Sequence, residues 1–187
     1  KYQEYSSNSN CDNCPTGKYQ NEVRQRSPNS CKDCPAGQYQ GLTGSSACIS
    51  CIPGYASTAI GATSAGTCLA CSAGKFASAY ASESCTDCSP GRFADTTALS
   101  ACKSCSLGRY FSGTSTDNSF SCKQCSQGFY SNELGVMNCK ACTPGRYQDE
   151  RAQTGGCKLC PVGRIAPFYS RYECEYCGGS LTSNAER

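Results

Sequence analysis

Cysteine is the residue type in this chain with the widest chemistry, because its thiolate can form a disulfide, bind a metal or take part in thiol exchange. All 20 cysteines of the 187-residue sequence fall in C-x-x-C pairs that recur every 17 to 20 residues. The pairs begin at Cys11, Cys31, Cys48, Cys68, Cys85, Cys102, Cys122, Cys139, Cys157 and Cys174. A fixed period of this length predicts a stack of small repeating units, each contacting its neighbours.

Zinc binding is the alternative to disulfide formation, because two C-x-x-C pairs 13 to 16 residues apart approach the spacing of a four-cysteine zinc site. However, the pairs are evenly spaced rather than grouped in twos, and the chain contains no His. The Cys content also exceeds the share that marks a disulfide scaffold. We therefore expect disulfides and no metal or cofactor, which places the chain outside the cell or at the cell surface.

Catalysis finds little support among the remaining residues. Without His, neither a Ser-His-Asp nor a Cys-His constellation can form. The 14 acidic residues are scattered, and the glycines belong to repeated turns rather than to a phosphate-binding loop. A net charge of +3 without a basic patch between aromatic residues also argues against nucleic-acid binding. The sequence predicts that the chain is not an enzyme.

The elements that position the cysteines are turns and short strands. A Gly stands three residues after most pairs, often with a Pro one or two positions before it, and Pro and Gly at this spacing predict a tight turn. An aromatic residue follows two positions after the Gly, where we expect its ring to pack on a disulfide and the next repeat. These rings are Tyr19, Tyr39, Phe76, Phe93, Tyr110, Tyr130 and Tyr147, with Tyr55 one position early and Ile165 in place of a ring.

A conventional hydrophobic core is excluded by composition. Each repeat offers one ring and a few aliphatic residues, too little to hold a small domain without covalent help. A disulfide that closes a loop of about 15 residues supplies roughly 3 kcal/mol in the chain-entropy model. The predicted fold is therefore a small disulfide-rich repeat protein: an elongated ladder of short β-hairpin and turn modules, with little or no helix and no single hydrophobic core.

The domain organisation follows the repeat. Residues 1–187 are predicted to form one continuous array of about ten repeats. Residues 1–10 match the second half of a truncated repeat, since the segment that starts at Lys1 repeats the one that starts at Lys18. Residues 178–187 match a degenerate or truncated last repeat. No apolar run is long enough to span a membrane.

Two disulfide ladders fit the spacing, and sequence alone does not decide between them. In the first, the second Cys of each pair joins the first Cys of the next, which gives Cys14–Cys31, Cys34–Cys48, Cys51–Cys68, Cys71–Cys85, Cys88–Cys102, Cys105–Cys122, Cys125–Cys139, Cys142–Cys157 and Cys160–Cys174. This leaves Cys11 and Cys177 as candidates for external or inter-chain disulfides. In the second, adjacent pairs link as blocks, for example Cys11–Cys31 with Cys14–Cys34. The uniform repeat favours the first ladder.

The segment Cys31-Lys32-Asp33-Cys34-Pro35-Ala36-Gly37-Gln38-Tyr39 carries a resemblance to a known family. The pattern C-x-x-C-P-x-G-x-Y, followed by a polar loop and another pair, resembles the ephrin-receptor-like cysteine-rich repeat. It is also similar to the simplest one-disulfide module of tumour-necrosis-factor receptors. The resemblance covers nearly all of the chain and implies an elongated, extracellular ladder of sheets and turns.

A row of basic residues directly follows the repeated Gly, at Lys18, Lys75, Arg92, Arg109, Arg146 and Arg164, and Lys1 fits the same position. One interpretation is a stripe that binds an acidic polysaccharide or an acidic neighbouring chain. The other is that each side chain is solvated and covers an adjacent ring. We favour the second interpretation.

Two functions remain from the sequence. The first is an extracellular structural rod, a subunit or segment of a fibre, appendage, wall or matrix protein. The second is the stalk or ligand-binding region of a cell-surface receptor or adhesion protein. The expected partners are further copies of the chain or other extracellular proteins, with glycans as a further class. The Ser- and Thr-rich runs 57–67 and 112–121 are candidates for O-linked glycosylation or plain polar loops.

Overall fold

The computed structural model describes residues 13–22, 30–114 and 121–177, which form a series of two-stranded antiparallel sheets. Each strand has two residues, and each sheet pairs consecutive strands of the chain. The strands are β1 Lys18–Tyr19, β2 Lys32–Asp33, β3 Gln38–Tyr39, β4 Ile49–Ser50, β5 Tyr55–Ala56, β6 Leu69–Ala70, β7 Lys75–Phe76, β8 Thr86–Asp87, β9 Arg92–Phe93, β10 Lys103–Ser104, β11 Arg109–Tyr110, β12 Lys123–Gln124, β13 Phe129–Tyr130, β14 Lys140–Ala141, β15 Arg146–Tyr147, β16 Lys158–Leu159, β17 Arg164–Ile165 and β18 Glu175–Tyr176.

These sheets, with their disulfides, confirm the predicted ladder of short hairpins. One 3₁₀ turn lies wholly within the described residues, Ala65–Thr67. The chain divides into two compact units: Lys1–Cys88 with Ala94–Cys102, and Ser89–Phe93 with Lys103–Arg187. Every contact described below lies within one unit.

A β-turn opens each repeat, as the Pro and Gly residues predict. In the fifth repeat, residues 89–105, Gly91 has φ +80° and the Arg92 N–H donates to the carbonyl of Ser89 at 3.0 Å. A positive φ at the third position of the turn is the type II arrangement, which favours Gly there and tolerates Pro90 before it. The turn sets the first strand beside the second, and the loop between the two strands is closed by the disulfide.

Successive repeats are joined by backbone hydrogen bonds at the turn Gly. The Gly91 N–H donates to the carbonyl of Phe111 in the next repeat at 2.7 Å. The Gly91 carbonyl accepts from Cys105 N–H, at the end of its own repeat, at 2.9 Å. The same inter-repeat bond is made by Gly17, Gly37, Gly54, Gly74, Gly108, Gly128 and Gly145. These hydrogen bonds satisfy the backbone N–H and C=O groups that become buried between repeats.

A second set of contacts skips one repeat. Gly135, in the seventh repeat, has φ +69°, and its N–H donates to the carbonyl of Cys105 at 2.9 Å. Its own carbonyl lies so close to Gly91 that a Cβ placed on Gly91 would be 1.9 Å from the oxygen. Corresponding next-but-one contacts join Gly17 to Gly61, Gly37 to Ala81, Gly54 to Ala98, Gly108 to Ala152 and Gly128 to Ser170. The predicted contacts between neighbouring repeats are therefore joined by contacts to the repeat beyond.

The most buried side chain after the cysteines is the residue three positions after the turn Gly. Gln148 and Ser131 are each only 1 % exposed and Ala94 is 0 % exposed, whereas most of the aromatic rings are half-buried. The glutamines in this position act as a clamp across the loop. Gln148 Nε2 donates to the carbonyl of Gly156 at 2.7 Å, and its Oε1 accepts from Glu150 N–H at 3.2 Å.

Replacing the clamp, Gln148→Ala, is expected to destabilise the chain by about 2 kcal/mol, because a buried amide and its backbone partners lose their hydrogen bonds. Urea unfolding measures the change. The matched control is Gln124→Ala on the exposed strand β12, which should change the free energy of unfolding by less than about 0.5 kcal/mol. An equal effect of the two substitutions would contradict the assignment of Gln148 as a clamp.

Candidate functional site

The disulfides are the chemistry that the structure assigns to the cysteines. The bonds are Cys14–Cys31, Cys34–Cys48, Cys51–Cys68, Cys71–Cys85, Cys88–Cys102, Cys105–Cys122, Cys125–Cys139, Cys142–Cys157 and Cys160–Cys174, with Cα separations of 5.6–5.8 Å. This is the pairing of the first ladder and not that of the block ladder, which would join Cys14 to Cys34. Sulfurs held in disulfides do not serve as thiolate ligands for zinc.

The structure describes one of the two cysteines that were predicted to form external disulfides. Cys11 lies outside the described residues. Cys177 carries an exposed thiol and is the cysteine without a disulfide in the described part of the chain. An inter-chain bond at either position stays a prediction.

The repeated rings lie on the first strand of each sheet. Phe93 is 9 % exposed and forms an apolar cluster with Cys105 and Cys122, which are bonded to each other, and with Phe111. The half-buried rings are Tyr19, Tyr39, Tyr55, Phe76, Tyr110, Tyr130 and Tyr147. A two-residue strand has too little partner surface to cover a whole ring, so each ring keeps one side toward solvent.

Lysine faces the ring across many of the sheets. The directly opposed pairs are Tyr19 with Lys32, Phe93 with Lys103, Tyr110 with Lys123, Tyr130 with Lys140 and Tyr147 with Lys158. Directly opposed residues on one face of an antiparallel sheet are in contact distance. The sequence analysis identified the rings and the basic row but missed these lysines. Their position directly after the first Cys of a pair could have identified them.

At least three of these lysines pair with acidic residues in the loop of their own repeat. Lys32 Nζ lies 3.2 Å from Glu22 Oε1. Lys158 Nζ lies 2.6 Å from Asp149 Oδ1 and 3.4 Å from Glu150 Oε1, and Lys140 binds Glu133. The hydrogen bond from Lys158 lowers the pKa of Asp149, and the same bond raises the pKa of Lys158. The hydrogen bond to Glu133 likewise raises the pKa of Lys140.

The pH dependence of the Lys158–Asp149 pair follows from these directions. Its contribution to stability is lost as the pH falls through the lowered pKa of Asp149, and again as the pH rises through the raised pKa of Lys158. Because both side chains are exposed to solvent, the pair adds little to the free energy of folding.

The basic residues that follow the turn Gly have different kinds of partner in the two units. In the first unit, Lys18 Nζ lies 2.8 Å from Asp33 Oδ1, and Lys75 pairs with Asp87 in the same way. In the second unit the row contains arginines that bind neutral groups. Arg109 Nη1 donates to the Cys122 carbonyl at 2.9 Å, Arg146 Nη1 donates to the Cys157 carbonyl at 3.1 Å, and Arg164 lies over the Tyr176 ring, 4.1 Å from its centroid. A guanidinium bound to a neutral group keeps its positive charge.

The charge is therefore distributed unevenly between the units. The second unit contains most of the Lys and Arg residues of the chain but only half of its Asp and Glu residues. Arg146 and Arg164 of the second unit are exposed, whereas Lys18 and Lys75 of the first unit are each paired with an aspartate.

Among the described residues, no cluster of three or more His, Cys, Asp or Glu side chains could hold a metal ion. The described part of the chain also contains no helix long and apolar enough to cross a membrane. The disulfide ladder, the half-buried rings and the arginine row are thus the features that the structure offers for a function.

Comparison with known proteins gives one family. The family model described as tyrosine-protein kinase ephrin type A/B receptor-like matches residues 25–68, 112–155 and 128–170, which together cover more than half of the chain. No curated protein matches the sequence significantly.

Proposed function

Since the chain belongs to the ephrin-receptor-like family of cysteine-rich repeats, we propose that it is a non-enzymatic structural rod, a subunit or segment of an extracellular fibre, appendage, wall or matrix. The disulfides and the family together indicate an extracellular or cell-surface segment of receptor or structural type.

The observation that carries the proposal is the continuity of backbone contacts along each unit. Every described turn Gly from Gly17 to Gly145 is hydrogen-bonded to the next repeat, and most of these turns also contact the repeat beyond that one. A force along such a ladder is shared among many hydrogen bonds, and each disulfide prevents its own 14 to 17 residues from extending. A protein that resists pulling along its length needs these properties, whereas catalysis does not.

A receptor stalk or ligand-binding region is the second candidate. The description of the matching family names a receptor, and the arginine row of the second unit suits an anionic partner. In this case the partner is another extracellular protein or an acidic glycan, and copies of the chain need not associate with one another.

Small-angle X-ray scattering of the oxidised chain across a concentration series tests the proposal. We expect a radius of gyration well above the roughly 16 Å of a compact protein of this length, already at the lowest concentration. We expect the scattering mass to rise with concentration, because a fibre subunit binds further copies.

Each part of the proposal has its own contradicting result. A radius near that of a compact protein would overturn the rod. A large radius with a constant monomer mass at every concentration would overturn the fibre subunit and favour the stalk.

A further inference from the structure

A shallow groove of about 530 Å³ lies between the third and fourth repeats, within the first unit. Its lining includes the apolar residues Ala56, Ala59, Leu69 and Ala70, and its charged residues are Lys75 and Glu83 of the fourth repeat. The groove lies at the one described repeat in which the ring has moved a position, because Tyr55 directly follows Gly54 and Ala56 takes the usual position of the ring.

The second unit shows what occupies this position elsewhere. A smaller groove of about 230 Å³ lies between the seventh and eighth repeats and is lined by Tyr130, Ala141 and Arg146. These three residues have the same repeat positions as Ala56, Ala70 and Lys75. The two grooves are therefore the same site, which contains a tyrosine ring in the seventh repeat and only a methyl group in the third.

A second departure from the pattern makes the larger groove more apolar. Ala56 faces Leu69 across its sheet, whereas Tyr130 faces Lys140. Leu69 is 68 % exposed, so its side chain is available to a partner. The groove thus lacks both the ring and the lysine opposite the ring position, and its mainly apolar lining suits an aromatic side chain supplied from outside the unit.

We propose that this groove binds an aromatic side chain of a second copy of the chain, from the pair Phe168 and Tyr169. Both side chains belong to the last described repeat of the second unit and are 68 % and 65 % exposed. Phe168 has no polar atom to hydrate, so burying its ring removes apolar surface from water. The inference rests on the proposed self-association and names the two surfaces that meet.

A contact between two different surfaces has a structural consequence. Each copy presents a groove in its first unit and an aromatic pair in its second, so every bound copy leaves one of each available. Such a heterologous contact builds an open chain of copies unless its rotation closes a ring.

Complementary variants test the contact. Ala56→Tyr fills the groove and restores the ring of the repeat pattern, and Phe168→Ser combined with Tyr169→Ser removes the inserted side chains. Each variant alone should remain monomeric at concentrations at which the unmodified chain associates. Mixed in equal amounts, they should form a one-to-one dimer and nothing larger, because one contributes the groove and the other contributes the rings.

Controls keep the test decisive. Leu42→Ala removes a side chain that is 72 % exposed and away from both surfaces, and should associate like the unmodified chain. Leu69→Lys restores the charged neighbour and should weaken association like Ala56→Tyr; a thiol count checks that each variant forms its disulfides. Association that survives Ala56→Tyr would overturn the groove and leave the fibre intact. An unmodified chain that stays monomeric would overturn both.

Discussion

Substituting Ala for Gly91 should destabilise the second unit by roughly 2–5 kcal/mol. About 1–2 kcal/mol comes from placing a Cβ on a residue with φ +80°. A further 1–3 kcal/mol or so comes from steric overlap, because the new Cβ would lie 1.9 Å from the Gly135 carbonyl oxygen and 2.4 Å from its carbon. Both atoms belong to backbone, so no side chain can rotate away to relieve the overlap.

Gly145→Ala is the matched control. Gly145 has the same turn position and φ +81°, but its added Cβ would have no atom within 4 Å. The control should therefore cost only the backbone term of about 1–2 kcal/mol. Urea unfolding followed by NMR measures both variants. Equal losses would show that the turn conformation alone, and not the next-but-one contact, accounts for the effect at Gly91.

Removing the Cys105–Cys122 disulfide by a double substitution to Ala should cost at least about 3 kcal/mol, because the bond closes a 17-residue separation. The loss should spread beyond its own repeat. Cys105 N–H donates to the Gly91 carbonyl, its carbonyl accepts from Gly135 N–H, and its sulfur packs against Phe93. Hydrogen exchange should accelerate in the repeats on both sides.

The comparison is removal of Cys160–Cys174, which spans 14 residues and costs nearly the same chain entropy. Cys160 is bonded to Gly145, and the repeat it opens is the last one described. We expect exchange to accelerate only in the last two described repeats. If both removals changed exchange over equally short segments, the disulfides would act independently and the contacts between repeats would carry little energy.

The sequence alone was sufficient for the features that are local in the chain. The turn Gly and its Pro predict the type II turn, and the even spacing of the pairs favours the ladder that joins Cys14 to Cys31. Both depend on residues fewer than 20 positions apart. The family resemblance pointed to the same ladder of sheets and turns, which the structure confirms.

The features that escaped prediction depend on contacts between distant repeats. The next-but-one contact joins residues more than 40 positions apart, such as Gly91 and Gly135, and no local propensity encodes it. A signal was nonetheless present, because a small residue stands seven positions after many of the turn glycines, as at Gly135 and Ala152. Burial of Gln148 was missed because long polar residues are mostly exposed, and only the clamp geometry explains it.

Amide hydrogen exchange of the unmodified, oxidised chain distinguishes a fold with next-but-one contacts from one in which repeats join only their neighbours. The small residues with positive φ, among them Gly61, Ala98 and Gly135, lie in loops that would otherwise be unprotected. Each of these residues donates its N–H to a cysteine carbonyl at the end of the repeat two places earlier in the chain. We therefore expect their amides to exchange far more slowly than those of other loop residues. Exchange of these amides at the rate of an unstructured chain would contradict the contacts and reduce the fold to repeats joined only to their neighbours.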